Sequence, residues 1–392
     1  MVEEDLAING GTPIRKDTLP FASPVIGDAE VEEVSNTLRS GWLTTGSQTA
    51  EFEDAICSTV GSRAAVGTTN CTSAIYLAHR ALGVEGEVIT TPMTFATTVS
   101  SSIMAGATPV LADVREDTLT LHPESVKEAI TDETEAILPV HYAGQAVDMD
   151  AILEIAMDHN LKIIEDAAHG LGGQYEGSAL GTLGDAGCYS FYATKSITTS
   201  EGGMLVTDDT SLAETARKLR LAGVDKDAWE RKDSDQPSWH YDVTAISGKY
   251  NMTDIQASIG LAQLERLNEF IETRQRLAAE YDDRLSTIEG IEPLAVRDSS
   301  EHARHLYPIF IRTDEIGLSR REFDQRLNSE GIDTSLHYIP IHHHSAFEDI
   351  DRVGLETINR VAESVLCLPL HPQMTVNDVK DVELAIRKVT TN

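Results

Sequence analysis

Lys195 is the residue with the most chemistry to offer. It stands between two short apolar runs, Gly187–Tyr192 and Met204–Thr207, among small and hydroxyl-bearing residues. The runs have the pattern of strands buried in a sheet, and Glu201-Gly202-Gly203 punctuates the entry to the second. An ammonium group is costly to bury, so a buried lysine gives up its proton more readily and becomes an amine nucleophile able to form a Schiff base. An exposed loop lysine fits this stretch equally well. The turn Thr68-Thr69-Asn70-Cys71-Thr72-Ser73 feeds an apolar helix, Ala74–Leu82. Its free N–H groups and the helix dipole would suit an anion. It lacks the G-K-[ST] of a Walker loop, and an ordinary N-cap is the plainer alternative. Asp166 lies just past the strand candidate Lys162–Ile164, where a charge partner and a turn residue are both possible. His342-His343-His344 suggests a metal, but consecutive residues cannot all face one ion. No cluster of acids or cysteines with ligand spacing accompanies them, so no metal is expected.

Positioning these residues requires a scaffold. Strand candidates at Ala64–Gly67, Glu87–Thr91, Thr108–Asp113, Ala136–Val140 and Lys162–Ile164 alternate with helical segments at Pro123–Ile130 and Met149–His159. That alternation predicts an α/β fold with a mostly parallel sheet covered on both faces. Ligands bind at the carboxyl ends of such strands, where Pro92–Phe95, His141–Gln145 and Glu165–His169 follow. Helices are also expected over Gly27–Leu38, Glu51–Val60 and Leu212–Ala222, and a loop with two threonines, Ser40–Gly46, lies between the first two. Gly223–Gly248 is a polar segment too long for an idle loop. Apolar spacing then predicts one helix of about 30 residues from Asp254 through Leu285, able to bridge two domains. Beyond it the pattern predicts a smaller α+β domain: strands at His305–Arg312 and Ile332–Tyr338, and helices at Ser319–Ser329, Thr357–Val365 and Thr375–Val389, two of them opening on capping boxes. The division expected is a large domain of residues 1–255 and a bridging helix with a small domain, residues 256–392.

Composition narrows the partners. The 64 acidic residues against 31 basic ones give a net charge of −33, spread along the whole chain. Such a field repels nucleic acid and anionic membranes. It is screened well only near 1 M salt, where the Debye length is about 3 Å, so adaptation to high internal salt is expected, against the alternative of an ordinary acidic protein. Cys57, Cys71, Cys188 and Cys367 lie far apart without a C-x-x-C, which implies reduced thiols. No apolar run approaches a membrane span, and the N-terminus has no signal-peptide pattern, so the expected location is the cytoplasm.

Seven motifs occur in order: NCTSA, TPMTF, HYAGQ, IEDAAHGLGG, SFYATK, EGGMLVTDD and KYNMTDIQASIGLAQLERL. Together with SGWLTTG near the start and LCLPLHPQMT near the end, they resemble the DegT/DnrJ/StrS sugar aminotransferases over nearly the whole chain. The resemblance implies fold type I, the aspartate-aminotransferase-like architecture, and pyridoxal phosphate as cofactor. It implies that Lys195 holds the cofactor as a Schiff base and shuttles a proton, and that Asp166 pairs with the pyridine nitrogen and keeps it protonated. Phe95 would stack on the ring and His169, where many relatives have Gln, would lie beside the ring hydroxyl. Thr72 and Ser190, with backbone amides near Cys71, would hold the phosphate. Asn251 would reach the phosphate of a second subunit, which implies a homodimer with shared sites.

Cys71, Lys249-Tyr250-Asn251, HYAGQ, DAAH and the segment Val224–Trp229 are similar to the UDP-4-amino-4-deoxy-L-arabinose aminotransferase branch. The implied reaction moves an amino group from L-glutamate to a nucleotide-linked keto sugar, at C4, by a ping-pong mechanism. Enzymes acting on 3-keto sugars share the catalytic residues and remain an alternative, as does a non-catalytic regulator on the same scaffold. The related dehydratases carry His in place of the Schiff-base lysine, and Lys195 argues against them. Thr45, His305 and His337 are candidates for substrate contacts, from loops or strands near the expected mouth.

The charge makes a prediction of its own. Lowering salt from molar to about 0.1 M extends the range of unscreened repulsion to about 10 Å. Activity and melting temperature should both fall, and equal values at the two salt concentrations would refute the adaptation to high salt.

Overall fold

The computed structural model describes residues 5–225 and 239–391. Its centre is an eight-stranded sheet. The first strands, β1 (Ala64–Thr68), β2 (Glu87–Thr90), β3 (Thr108–Ala112), β4 (Thr134–Leu138) and β5 (Lys162–Asp166), are short and mostly buried. Successive side chains point to opposite faces of a strand, and both faces here are apolar. Val88 and Ile164 join one core cluster, while Ile89 and Ile163 join another. A sheet buried on both sides needs such continuous apolar runs. After the small hairpin β6 (Gln174–Tyr175) and β7 (Ser178–Ala179) come β8 (Ala186–Ser190) and β9 (Gly203–Thr207). The sheet order is β1-β9-β8-β5-β4-β2-β3, followed by a late strand, Asp351–Val353. β9 is antiparallel to both its neighbours, whereas β8, β5, β4, β2 and β3 run parallel.

Helices α1 (Asp28–Ser40), α2 (Ser47–Val60), α3 (Cys71–Leu82), α4 (Ala96–Ala105), α5 (Pro123–Ala129), α6 (Met149–His159) and α7 (Thr210–Arg220) belong to this part of the chain. α3 and α7 supply Ile75, Leu77 and Leu212 to one face of the sheet, and α5 and α6 supply Val126 and Ile152 to the other. α4 was not anticipated. Its sequence, ATTVSSSIMA, is rich in β-branched and hydroxyl residues of modest helix propensity, and no polar side chain caps it.

The expected long helix is two helices, α8 (Asp254–Leu264) and α9 (Leu267–Leu285). The break falls at Glu265–Arg266, where Arg266 has ψ 3°, without any Gly or Pro to announce it. α8 opens on a capping box of Thr253 and Gln256. Its buried Asp254 accepts from the amides of Gly46 and Thr49 and from the Thr49 hydroxyl, at 2.7–3.0 Å. The Ser40–Gly46 loop and the start of α2 are thereby fixed to α8.

The C-terminal part contains β10 (Ile291–Pro293), β11 (Ser300–Glu301), β12 (Tyr307–Ile311), β13 (Asp351–Val353) and β14 (Val365–Leu368). β10, β12 and β14 form an antiparallel sheet. It packs on α9 and on the later helices α10 (Thr313–Ile316), α11 (Arg320–Ser329) and α13 (Val376–Thr391) in one cluster, and α12 (Glu356–Val361) joins a second cluster with Phe310, Val365 and Cys367. The capping box at Ser319 is formed with Glu322. Leu6 and Leu19 from the N-terminus are buried in the same cluster, and β13 adds to β3 at the edge of the large sheet. Two expectations are corrected here. Ile332–Tyr338 is not a strand, because it pairs only through single bridges, Ile332 with Leu19 and Ser335 with Cys367. The helix expected at Thr357–Val365 ends at Val361, and Val365 starts β14.

Candidate active site

A cavity of about 460 Å³ opens at the carboxyl ends of β5 and β8. Asp166, the last residue of β5, forms its floor and is 4% exposed. Its Oδ2 accepts from the Thr98 hydroxyl at 2.7 Å and its Oδ1 from the Ala168 amide at 3.1 Å. The backbone is pinned too, since the Asp166 N–H donates to Pro139 and its carbonyl accepts from His141. Burial raises the pKa of this carboxyl above the ordinary aspartate value, and the Thr98 and Ala168 hydrogen bonds oppose that shift. Its neighbour Glu165 points the other way. Glu165 is fully buried, accepts from the amides of Gly181, Leu183 and Gly184 and sits 2.8 Å from His141 Nε2. His141 Nδ1 accepts from the Val147 amide, so the ring proton belongs on Nε2. The end of β5 is thus held rigidly from both sides.

Lys195 lies in the loop between β8 and β9, whose turn is closed by its own N–H on the Tyr192 carbonyl. The side chain reaches the cavity, and its amine makes no ion pair among the described residues. Burial lowers its pKa to about 8, against the weaker pull of Cys71 and Asp166. The free amine is therefore a minor but substantial species near neutrality, far commoner than for an ordinary lysine.

The start of α3 forms the opposite wall. Asn70 caps it, accepting from the Ser73 amide at 2.9 Å and the Ser73 hydroxyl at 2.8 Å. The amides of Cys71 and Thr72 occupy the first two helical positions, where no intrahelical partner exists, and both residues line the cavity. Ser190 at the end of β8 lines it as well. The helix start can approach the sheet this closely because residue 203 is glycine. A Cβ there would meet the Asn70 carbonyl carbon at 2.3 Å and the Cys71 nitrogen at 2.5 Å.

Phe95, at the head of α4, is 58% exposed on the cavity wall, with Tyr338 at 6.0 Å between ring centres. His169 is buried beside them. Its Nδ1 accepts from the Ala143 amide at 3.2 Å, which places the ring proton on Nε2, 2.9 Å from the Tyr338 hydroxyl. Burial, with Lys195 and His337 adding to it, holds His169 well below the usual histidine pKa. It is a neutral imidazole with a fixed tautomer.

The structure therefore brings together Lys195, Asp166, Cys71, Thr72, Phe95, His169, Ser190 and His337 around one cavity. It does not bring Thr45, Asn251 or His305 to that cavity. Asn251 Nδ2 donates to the Thr45 hydroxyl at 2.7 Å, and both residues are buried together. His305 stacks behind His169, with ring centres 4.4 Å apart. Of the similarity-bearing segment Val224–Trp229, residues 226–229 lie outside the described residues. Thr98 and Tyr338 were missed. Thr98 sits on the unforeseen α4, and Tyr338 was hidden inside a supposed strand. A hydroxyl three residues after Phe95 was the available signal for Thr98. Of the three histidines at 342–344, His342 bonds to Asn359 at 2.8 Å, and among the described residues no group of three His, Cys, Asp or Glu is placed to hold a metal ion.

Over residues 24–387 the sequence matches the DegT/DnrJ/EryC1/StrS aminotransferase family. The chain belongs to that family. The spore coat polysaccharide biosynthesis protein SpsC of Bacillus subtilis is 41% identical over 381 residues, covering 96% of this chain and 98% of SpsC. DesI, solved in the presence of its TDP-sugar product, is 31% identical with a TM-score of 0.89, over 99% of this chain and 97% of DesI. Spr1654 of Streptococcus pneumoniae, solved in its PLP form, is 30% identical with a TM-score of 0.86, over 95% of this chain and 99% of that one. The enzyme is thus a pyridoxal-phosphate-dependent sugar aminotransferase of fold type I. Its cavity fits the cofactor: open amides at a helix start for a phosphate, a buried carboxylate for a ring nitrogen, and an amine between them for an aldehyde. Among the described residues no helix is long and apolar enough to cross a membrane.

The lowered lysine pKa can be read directly. In the cofactor-free enzyme, Lys195 should react with an amine-directed reagent at a rate that rises with pH and levels off above about 8. An ordinary lysine keeps gaining free amine up to about 10.4. Peptide mapping of the labelled protein at several pH values is the measurement. A plateau only near 10 would show that the amine is not desolvated.

Proposed function

We propose that the enzyme transfers an amino group from L-glutamate to the 4-keto carbon of a nucleotide-diphosphate-linked sugar, by a ping-pong mechanism in a homodimer. The observation that carries this reading is the convergence of an open helix start, a pinned buried carboxylate and a desolvated lysine on one cavity. The TDP-sugar product named for DesI supports a nucleotide-linked acceptor. The resemblance of HYAGQ and DAAH to the UDP-4-amino-4-deoxy-L-arabinose aminotransferase branch favours C4 over C3.

Bound, pyridoxal phosphate supplies the carrier for the amino group and an electron sink in its ring. The rest falls to the chain. Lys195 Nζ anchors the cofactor, then takes and returns the proton at the donor and acceptor carbons. Asp166 keeps a proton on the ring nitrogen, because its negative charge stabilises the cation there. The amides of Cys71 and Thr72, with the hydroxyls of Thr72 and Ser190, bind the phosphate. Phe95 packs on the ring. His169, as a neutral donor fixed by Tyr338 and Ala143, lies beside the ring hydroxyl. Asn251, with Thr45 holding its amide, serves the partner subunit's phosphate; His337, which lines the cavity, contributes to sugar recognition, and His305 acts only by packing behind His169. Residues 1–255 then form the cofactor-binding domain and residues 256–392 the domain that closes against it. The cytoplasm, with high internal salt, is the compartment that fits this reading.

Incubating the pyridoxamine form with a panel of nucleotide-linked 3-keto and 4-keto sugars tests the acceptor. A 4-keto sugar should restore the pyridoxal absorbance, and restoration by 3-keto sugars alone would reverse the assignment.

Asp166→Asn tests the carboxylate. As a mere turn residue, its replacement should cost on the order of 1 kcal/mol of stability and leave the chemistry alone. As the ring-nitrogen partner, it should leave a folded, cofactor-bound enzyme at least about a hundredfold slower, since about 1.4 kcal/mol in the barrier is already tenfold. Single-turnover conversion with L-glutamate beside a melting curve decides. Near-normal conversion in a folded variant removes Asp166 from the mechanism.

A further inference from the structure

Behind the Lys195 loop lies a second, much smaller pocket of about 10 Å³, room for one particle of about the size of a water molecule. Ser196, Thr198, Gln263 and Arg274 line it, as does Lys195. Arg274, from α9, is 2% exposed. Its Nη1 donates to the carbonyls of Leu370, His305 and Arg304 at 2.6, 3.1 and 3.4 Å. Its Nε is buried without a hydrogen bond, and so is the Ser196 hydroxyl. Burial lowers the guanidinium pKa only to about 10, so the charge persists at neutral pH.

Nothing in the wall neutralises that charge. No carboxylate pairs with Arg274 among the described residues. Gln263 is uncharged and cannot neutralise the charge, and its Oε1 already takes the Thr198 amide at 3.4 Å. Its Nε2 donates to the Val25 carbonyl at 2.7 Å and to Glu30 at 2.6 Å, which turns the Glu30 carboxylate to the amide. His305 and His371 face Arg274, and burial, with the guanidinium adding to it, holds both below the usual histidine pKa. Neither carries a negative charge in any state. Two unpartnered buried donors, one of them cationic, thus share a pocket with room for one particle.

We propose that this pocket binds a monatomic anion, of the chloride class, between Arg274 Nε and Ser196 Oγ. A phosphate or an amino-acid carboxylate is too large for it. A water molecule would satisfy the donors but leave the buried guanidinium charge uncompensated. The anion holds α9 to the loop that carries Lys195. It belongs to the folded state alone, so it stabilises the enzyme by mass action, separately from the general screening of surface charge.

The test uses the pyridoxal-phosphate-loaded enzyme. Crystals grown in sodium bromide and measured at the bromine absorption edge should show an anomalous peak in contact with Arg274 and Ser196. In solution, chloride is replaced stepwise by gluconate at constant ionic strength. The melting temperature should rise by about 2 °C for each tenfold increase in chloride above its dissociation constant. Ser196→Ala should move this dependence to higher chloride, and Arg274→Met should remove it. If Arg274→Met does not fold, Ser196→Ala decides. A pocket holding only water at molar bromide, melting that follows ionic strength alone, or a Ser196→Ala enzyme with wild-type chloride dependence would each overturn the proposal.

Discussion

Two opposite charges share the cavity without touching. Lys195 and Asp166 both line it, yet no ion pair joins them. A direct bridge would bury two charges at little net gain and would fill the space between them. Thr98 holds one carboxylate oxygen and the Ala168 amide the other; both donors are neutral, so they aim the group while leaving its charge and further lone pairs available. The amine, left without an ion pair, responds to burial by giving up its proton more readily. An available nucleophile and an available anion therefore follow from one arrangement, the rigid end of β5.

That rigidity is assembled from distant parts of the chain. Glu165 and Asp166 are adjacent, and the two-residue period of a strand sends them to opposite faces. Glu165 staples the chain after β7 through three amides and meets His141, while Asp166 faces the cavity. The parallel pairing of β5 with β4 and β8 places Asp166 level with Cys188, so the loop bearing Lys195 starts one strand away. Gly203 lets the start of α3 close against β9. Each of these is a backbone constraint, and each precedes any question of substrate.

Much of this could be read from the sequence, and the reason differs by residue. The Thr68–Ser73 turn joins a strand to a helix and Asp166 ends a parallel strand, where ligand-facing residues belong, while Lys195 stood out as a lysine between two apolar runs. The parallel sheet followed from unbroken apolar runs. What escaped depends on tertiary context. α4 is a poor helix by propensity, so Thr98 went unnoticed as the partner of Asp166. The segment from Ile332 to Tyr338 alternates like a strand but carries single bridges, which frees Tyr338 to hold His169. The break at Glu265–Arg266 has no local breaker. β13 is three residues long and its partner lies more than 200 positions earlier, beyond the reach of any local pattern.

The net charge of −33 poses a physical problem for an enzyme that must hold a phosphate. The summed field of the surface opposes every anion that approaches. In molar salt that field is screened within about 3 Å, and recognition passes to groups in direct contact. The cavity offers such groups without adding carboxylates of its own beyond Asp166 and Glu201. The donors are two open amides at a helix start, hydroxyls, and imidazoles that burial keeps neutral. Fixed dipoles and hydrogen bonds act at contact range and are little affected by the ions that quench the surface. An acidic exterior and an anion-binding interior are compatible because they work over different distances.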